Sequence, residues 1–355
     1  MGPFVSGFSE RISKIRNLAA SHDLDAIVIR RNPNLSWAIG SRVHVPTTLD
    51  LACFDLVVAA DRVFIVTNKI EAPRLIKEEL PDEIEVVAID WWQNRDSFLP
   101  IGSKFGSDQI GQDRINLASE IESLRQSLVD EDIARLRKIS IEAAISLGEA
   151  LKDTESFDRE IDVAARISSA LWQRDLEIVF LGVAGAERAK LIRHPLPTQA
   201  KIGPRVVASI CARRKGLIAS VTRIVTFNET NTENYANILQ VESALLNETK
   251  VGNAFSAPVN AAIAAYPKFG FASDEWQNHH QGGPTGYLPR DWIANKESSQ
   301  LIKLNQPIAW NPTADGWKAE DTLITNAEGF EILTIDPNWP TIPISGRLRP
   351  DLLRR

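Results

Sequence analysis

Cysteine, long apolar runs and dense basic tracts are scarce in this chain of 355 residues. The two cysteines, Cys53 and Cys211, are far apart and form no metal-binding or redox spacing, which suits a reducing compartment. No run approaches the ~20 apolar residues of a membrane span. No apolar segment behind a basic stretch marks a secretory signal. The net charge of −6 disfavours nucleic acid as a partner. We therefore expect a cytoplasmic protein with no membrane or nucleic-acid partner.

The length predicts two domains, since a single core suffices for a chain of about 150 residues. Apolar periodicity predicts a helix over 9–20, a strand at 26–29, a hairpin of 56–60 with 63–66, and a strand at 84–89. This part is mixed α/β. From about 113 to 174 the pattern turns helical, and we place the domain boundary near residue 130, where a long helix begins.

Further strands are predicted around 178–183, 205–211, 217–227, 321–325 and 331–334. Helices are predicted at 231–248 and 256–265. We expect one face of the first long helix to include Ile141, and one face of the next to include Ile161. The predicted fold class is therefore α/β in the broad sense (α+β), with an N-terminal α/β domain followed by a larger domain.

Three segments carry a resemblance to a known family. Residues 209–223 read SICARRKGLIASVTR, residues 279–286 read HHQGGPTG, and residues 311–322 begin with Asn-Pro and end with Glu-Asp-Thr. They resemble the metal-ligand segments of the M24 peptidases, which include aminopeptidase P, prolidase and creatinase. The resemblance implies a creatinase-type domain over 1–130, a pita-bread domain with a curved antiparallel sheet over 131–346, and a C-terminal tail over 347–355.

At four of the five positions that hold the family's metal pair, this sequence has neutral residues: Ser209, Ser220, Gly283 and Asn311. Only Glu320 keeps its acid. A metal pair needs anionic oxygen ligands to offset about four positive charges. We therefore expect neither a stoichiometric metal pair nor another cofactor. A single relocated metal, held by carboxylates such as Asp315 or Asp321, stays open as an alternative.

The resemblance also supplies catalytic candidates. His194 matches the family's catalytic histidine, and an imidazole with a pKa near about 6.5 can act as base and then as acid. His279 matches a pocket histidine. His280 has no counterpart, and two adjacent histidines on a strand would point to opposite faces, so at most one is expected in the pocket. Glu320 is expected to orient the reacting group, or to be a structural carboxylate bound to Thr222 or Arg223.

Other residues are candidates for substrate binding. Arg290 can hold a substrate carboxylate, or equally form an ion pair with Asp291. Trp310 precedes Asn311 and can form a stacking wall of the pocket. We expect Ser209, Ser220 and Asn311 to fill the vacated metal space with neutral hydrogen bonds. Cys211 is read as a buried inert thiol rather than a nucleophile paired with His194.

By analogy with creatinase, the resemblance implies a metal-independent hydrolase or lyase acting on a C–N bond of a small molecule or short peptide. One alternative is a non-catalytic binding module, as in the FACT histone chaperone. A second is a genuine Xaa-Pro peptidase with an altered metal site. The resemblance further implies a homodimer in which the N-terminal domain of one subunit closes the cleft of the other.

Overall fold

The computed structural model describes residues 5–44, 49–99, 104–111, 114–228 and 232–355. It divides into two compact units, Met1–Ile133 with Lys215–Leu217, and Ala134–Arg214 with Ile218–Arg355. The chain passes from the first unit to the second within one long helix, Asp130–Lys152. Among the described residues, no helix combines the length and apolar character that crossing a membrane would take.

The first unit is a mixed α/β structure. Its helices are α1 (Val5–Ser21), α2 (Asn32–Ile39), the short α3 (Ala72–Arg74) and α4 (Ala118–Arg125). Its strands are β1 (Ala26–Arg31), β2 (Leu51–Ala59), β3 (Val63–Asn68), β4 (Glu85–Ile89), β5 (Phe105–Ser107) and β6 (Ile115–Asn116). They form one sheet in the order β4-β3-β2-β1-β5-β6, and the predicted hairpin is the antiparallel pair β2–β3. Apolar side chains such as Val28, Val57 and Phe64 form its core.

The second unit has five helices within the described residues. They are α5 (Asp130–Lys152), α6 (Glu160–Trp172), α7 (Ala186–Leu191), α8 (Glu233–Glu248) and α9 (Ser256–Lys268). Its strands are β7 (Glu177–Gly185), β8 (Arg205–Arg214), β9 (Leu217–Thr226), β10 (Gly282–Pro284), β11 (Pro307–Trp310), β12 (Thr313–Ala314), β13 (Trp317–Lys318), β14 (Asp321–Asn326), β15 (Gly329–Ile332), β16 (Thr341–Ile344), β17 (Arg347–Pro350) and β18 (Leu353–Arg354).

Two four-stranded sheets form the frame of the second unit, in the orders β18-β9-β8-β7 and β10-β11-β14-β15. They meet where the Thr222 amide donates to the Glu320 carbonyl oxygen at 3.0 Å. Apolar residues of α8 and α9 pack against one face of the second sheet, with Leu245, Val259 and Ile308 in a single buried cluster. Side chains alternate along a strand, so the residues before and after Ile308 in β11 point to the face of this sheet that lies away from α8 and α9.

The last residues of the chain, 347–355, which were predicted as a C-terminal tail, lie within the second compact unit. β18 pairs in parallel with β9, with Leu353 opposite Val225. Arg349 is 3% exposed and forms ion pairs of 2.6 Å with both Glu242 and Asp321. This role of Arg349 was not predicted, because its partners lie far away along the chain.

Candidate functional site

Small polar side chains on the central strands β8 and β9 form the floor of the candidate site. The Ser209 and Thr222 hydroxyls are 2.7 Å apart, and the Cys211 thiol lies 3.3 Å from the Ser220 hydroxyl. Each strand contributes two residues that are two positions apart, which places them on the same face. This floor is buried and, at neutral pH, uncharged.

Glu320 lies over this floor, between two cations. Its carboxylate is 2.8 Å from Lys318 Nζ and 2.9 Å from the Arg290 guanidinium, and it accepts a hydrogen bond from the Thr222 hydroxyl at 2.9 Å. Burial would raise the pKa of Glu320, but the charges of Lys318 and Arg290 outweigh burial and lower it to about 2. Glu320 is therefore ionised at neutral pH, and the three charged groups together carry one excess positive charge.

Lys318 is the residue of this group that the sequence reasoning missed. It is 7% exposed, and its ammonium also donates to the Ser209 hydroxyl at 3.2 Å. A signal was present, since Lys318 stands two residues before Glu320 and extended chain places such residues on one face. A cavity of about 20 Å³, room for about one water molecule, is lined by residues that include Ser209, Thr313, Lys318 and Pro195.

Three histidines lie together beside this charged group. The Nε2 atoms of His194 and His279 are 3.2 Å apart, and the His279 and His280 rings stack at 4.4 Å. The expectation that the adjacent histidines point to opposite faces is therefore wrong, since His280 also stacks on His194 at 5.4 Å. The physical reason is that these residues lie in a bend between a 3₁₀ turn and β10, and strand alternation does not apply there.

Hydrogen bonds indicate the tautomers of this cluster. The Thr313 hydroxyl donates to the Asn311 carbonyl oxygen at 3.1 Å, so it accepts from His279 Nδ1 at 3.5 Å. His279 Nε2 then carries a lone pair and accepts the Nε2–H of His194. We infer that His194 Nδ1 is unprotonated.

Burial and positive neighbours keep the three imidazoles neutral. Burial lowers the pKa of His279 to about 2, with Lys318 and the other histidines acting in the same direction. Burial and then Arg290 lower the pKa of His280 to about 4. The pKa of His194 is lowered by burial and then by Lys318, while the charge of Glu320 opposes them. His194 is the most exposed of the three histidines, and its neutral ring offers a nitrogen lone pair.

The residues present do not fit the metal pair that the resemblance would imply. The single carboxylate, Glu320, is already neutralised by two cations. A Cβ at Gly283 would lie 2.6 Å from the Trp292 carbonyl oxygen, so a ligating side chain has no room there. Asn311 is 3% exposed and its Oδ1 has no hydrogen-bond partner among the described residues. We expected the side chains of Ser209, Ser220 and Asn311 to form neutral hydrogen bonds where the family holds its metal pair. The hydroxyls of Ser209 and Ser220 form such bonds, whereas Asn311 Oδ1 forms none within the described residues.

The carboxylates named for a relocated metal lie elsewhere. Asp321 points away from Glu320 and forms ion pairs with Arg223 at 3.0 Å and Arg349 at 2.6 Å. Asp315 is exposed in a turn, where it accepts from the Asn234 side chain. Neither carboxylate is available to the site.

Two binding candidates differ from expectation. Trp310 is no pocket wall: it is 1% exposed within the apolar cluster under α8 and α9, and its indole N–H donates to Thr249 at 2.9 Å. Strand alternation explains this, because Asn311 follows it and Trp310 must then face the core. Arg290 pairs with Glu320, and its Nε is buried without a partner among the described residues.

Cys211 has no basic partner in the contacts described above. It is 8% exposed, and burial followed by the charge of Glu320 raises the pKa of its thiol. A thiol with a raised pKa is a poor nucleophile. This agrees with the prediction of an inert cysteine.

A larger cavity, of about 710 Å³, lies on the opposite face of β14. Its walls include the Arg223–Asp321–Arg349 ion pairs together with Phe330 and Trp339. Large cavities are the usual place for a ligand. The charged groups of this wall nevertheless pair with one another, and none of the described histidines lines it. None of the described histidines lines the smaller cavity either, but that cavity adjoins the charged group through Lys318 and Ser209. We take this charged group and the neighbouring histidines as the candidate site.

Comparison with known proteins identifies the fold. No family model and no curated protein matches the sequence. Among solved structures, the prolidase from Pyrococcus horikoshii matches with a TM-score of 0.78 at 18% identity, covering 92% of this chain and 98% of its own. The X-Pro aminopeptidase from Thermotoga maritima matches with a TM-score of 0.77 at 14% identity, covering 97% of this chain and 100% of its own. The N-terminal domain of the FACT subunit SPT16 from Cicer arietinum (chickpea) matches with a TM-score of 0.66 at 13% identity, covering 93% of this chain and 96% of its own.

These likenesses confirm the predicted fold class, since the chain has the mixed α/β architecture and pita-bread fold of prolidases. Identities this low establish the fold alone.

Proposed function

We propose that this chain is an M24 peptidase-like hydrolase or lyase that cleaves a C–N bond of a small molecule or short peptide without a metal pair. The observation that carries the proposal is the contrast between two neighbouring groups. Lys318 and Arg290 neutralise the one remaining carboxylate, Glu320, while the neutral His194 beside them is free to accept a proton. Such an arrangement suits acid–base chemistry better than it suits metal binding.

His194 is the proton carrier in this proposal. With Nε2–H donated to His279, its Nδ1 takes a proton from water, or from the carbon next to the bond that breaks. The same nitrogen then returns the proton to the departing nitrogen, so that one group serves as base and acid. His279 holds the ring of His194 in place through the 3.2 Å contact and receives no proton itself.

Lys318 supplies the positive charge that the reaction needs. An ammonium has three N–H donors, and the contacts with Glu320 and Ser209 use two of them. The third can donate to a substrate carboxylate or to a developing oxyanion at the 20 Å³ cavity that Lys318 lines. We assign this role to Lys318 before Arg290, whose Nη groups are already engaged with Glu320 and Ser220. Glu320 orients both cations. Asn311 Oδ1, which has no hydrogen-bond partner within the described ranges, accepts a substrate N–H.

The test measures release of ammonia or amine, in excess chelator, from a panel of carboxylate-bearing C–N compounds. The panel contains N-acyl amino acids, ureido and guanidino acids, and Xaa-Pro dipeptides. We expect at least one turnover that His194→Ala lowers by ~10²–10⁴-fold, the usual contribution of a positioned general base. His22→Ala is the matched control, because His22 is exposed and lies outside the site.

The likeness to the SPT16 domain favours a second candidate, a binding module without chemistry. It replaces the enzyme if no compound of the panel turns over and a bound ligand is retained equally by wild type and His194→Ala. Xaa-Pro cleavage that is lost in chelator and restored by added metal would refute metal independence and support a peptidase with an altered metal site.

A further inference from the structure

Together, His194, His279 and His280 offer more than a proton carrier. We propose that these three side chains form a binding site for a single transition-metal ion of the Zn²⁺ type, separate from the positions of the metal pair that the fold's resemblance implies. The distances between the imidazole nitrogens carry this proposal. The site would use three neutral nitrogen ligands and leave one position open to solvent.

The spacing of the ring nitrogens fits such an ion. Zn–N bonds of about 2.0–2.1 Å in a tetrahedron place two ligand nitrogens about 3.3 Å apart. His194 Nε2 and His279 Nε2 are 3.2 Å apart without an ion. One ligand atom from each of the three histidines lies within 4.8 Å of the others. The widest pair must therefore close by about 1.5 Å, which rotation of an imidazole about its side-chain torsions can provide.

The surroundings of two histidines resemble those of metal ligands. A ligating histidine commonly donates its second ring N–H to an oxygen that is itself hydrogen-bonded. His279 has this arrangement through Thr313, whose hydroxyl donates on to the Asn311 carbonyl oxygen. His280 Nδ1 is buried and has no hydrogen-bond partner among the described residues. No protein group in the described part of the chain uses this nitrogen, and in the tautomer with the proton on Nε2 it offers a lone pair to an ion.

The nitrogen ligands, and not the charge of the site, decide which ions bind. Lys318 and Arg290 face the cluster and disfavour a cation, and Glu320 offsets one of these two charges. An ion that binds must therefore gain most of its affinity from nitrogen coordination. Zn²⁺ and Cu²⁺ bind imidazole strongly, whereas Mg²⁺ and Ca²⁺ prefer oxygen. We expect the first two ions to bind and the last two not to.

Binding of the ion and the chemistry proposed above exclude each other, and this part of the inference rests on the proposed function. Coordination through His194 Nε2 displaces its proton, so the neutral ring carries its proton on Nδ1 instead. The atom that serves as the base is then blocked. Zinc would act as an inhibitor of a metal-independent enzyme.

The direct test needs no substrate. The metal-free full-length protein is titrated with ZnCl₂ by calorimetry, and with CoCl₂ while the visible absorption of tetrahedral Co²⁺ is recorded. We expect one ion to bind per chain. We also expect His280→Ala to weaken zinc binding by at least ~10-fold, because even the loss of a residue that only hydrogen-bonds to a metal ligand lowers metal affinity by about 10-fold or more. His279→Ala serves as a second ligand variant, circular dichroism verifies folding, and His22→Ala should bind as wild type does.

Absence of saturable binding, or equal binding by His280→Ala and His22→Ala, would overturn the metal site. Equal binding of Mg²⁺ would do the same, because three imidazoles do not select it. If zinc binds and the compound panel shows no turnover, the site stands and the proposed function fails. If turnover of a panel compound is found, zinc should abolish it. For each variant, the rate in the presence of zinc is compared with the rate of the same variant without metal. Zinc-stimulated turnover would keep the site and overturn both metal independence and the inhibitory role.

Discussion

Replacing Glu320 with glutamine tests the electrostatic account of the site. The substitution keeps the shape of the side chain and removes its charge. Lys318 and Arg290 are then left without their shared counter-ion, and their side chains are only 8% and 11% exposed. Removing one partner of a buried ion pair typically costs about 3–5 kcal/mol, because the remaining charge stays buried.

The pKa of Glu320 gives an independent magnitude. Lowering it from 4.5 to about 2 corresponds to about 3 kcal/mol of stabilisation of the folded state. Because the folded-state pKa is depressed, this stabilisation is complete above pH about 4.5 and is lost as the pH falls towards 2. Both routes predict that Glu320→Gln lowers the free energy of unfolding by about 3–5 kcal/mol at pH 7.

Urea denaturation followed by circular dichroism measures this loss at several pH values. Glu297→Gln is the control, since Glu297 is exposed in a loop and its loss should matter by less than ~0.5 kcal/mol. Adding Lys318→Met to Glu320→Gln removes one of the two buried cations that have lost their counter-ion. The double variant should therefore recover part of the lost stability. A Glu320→Gln variant as stable as the control at pH 7 would refute the reasoning. So would a difference that does not shrink between pH 4.5 and 2.

Three other outcomes are expected. Arg349→Met should lower the unfolding free energy by about 3–5 kcal/mol in urea, because Glu242 and Asp321 lose their buried partner, whereas the exposed Arg354→Met should change it by less than ~0.5 kcal/mol. Cys211 should resist iodoacetamide at pH 8 until the protein is unfolded, and mass spectrometry showing rapid labelling of the folded chain would contradict its raised pKa. Sedimentation should give about twice the chain mass of 39.4 kDa, and a monomer at micromolar concentration would count against the homodimer that the family resemblance implies.

The fold was largely readable from the sequence, because apolar residues recur at strand or helix spacing wherever a face is buried. The pattern correctly placed the strands β1, β7 and β8 and the helices α8 and α9. The helix faces were less well predicted, since Ile141 and Ile161 are 37% and 41% exposed. Periodicity shows that a helix has an apolar side. It does not show which apolar residue falls outside the area that a neighbouring element covers.

The sequence predicted the residues of the site only in part. His194, His279 and Glu320 came from the resemblance, which supplies positions but not the contacts that form around them. His280 was missed because its direction depends on a bend that residue types do not reveal. Lys318 was missed because a lysine two residues from an acid is more often a solvated side chain. Its burial follows from strands that are distant in the sequence.

The pairing of β18 with β9 has a consequence for how the chain is made. The strands β1–β6 of the first unit lie early in the chain, so this sheet can form while synthesis continues. β9, which carries Ser220 and Thr222, lacks one neighbour until Leu353 and Arg354 have left the ribosome. Until then it presents an unpaired strand edge to other nascent chains. Closing this edge at Val225 and Thr226, next to the floor of the site, therefore depends on a contact that is distant in the sequence, and such contacts form slowly.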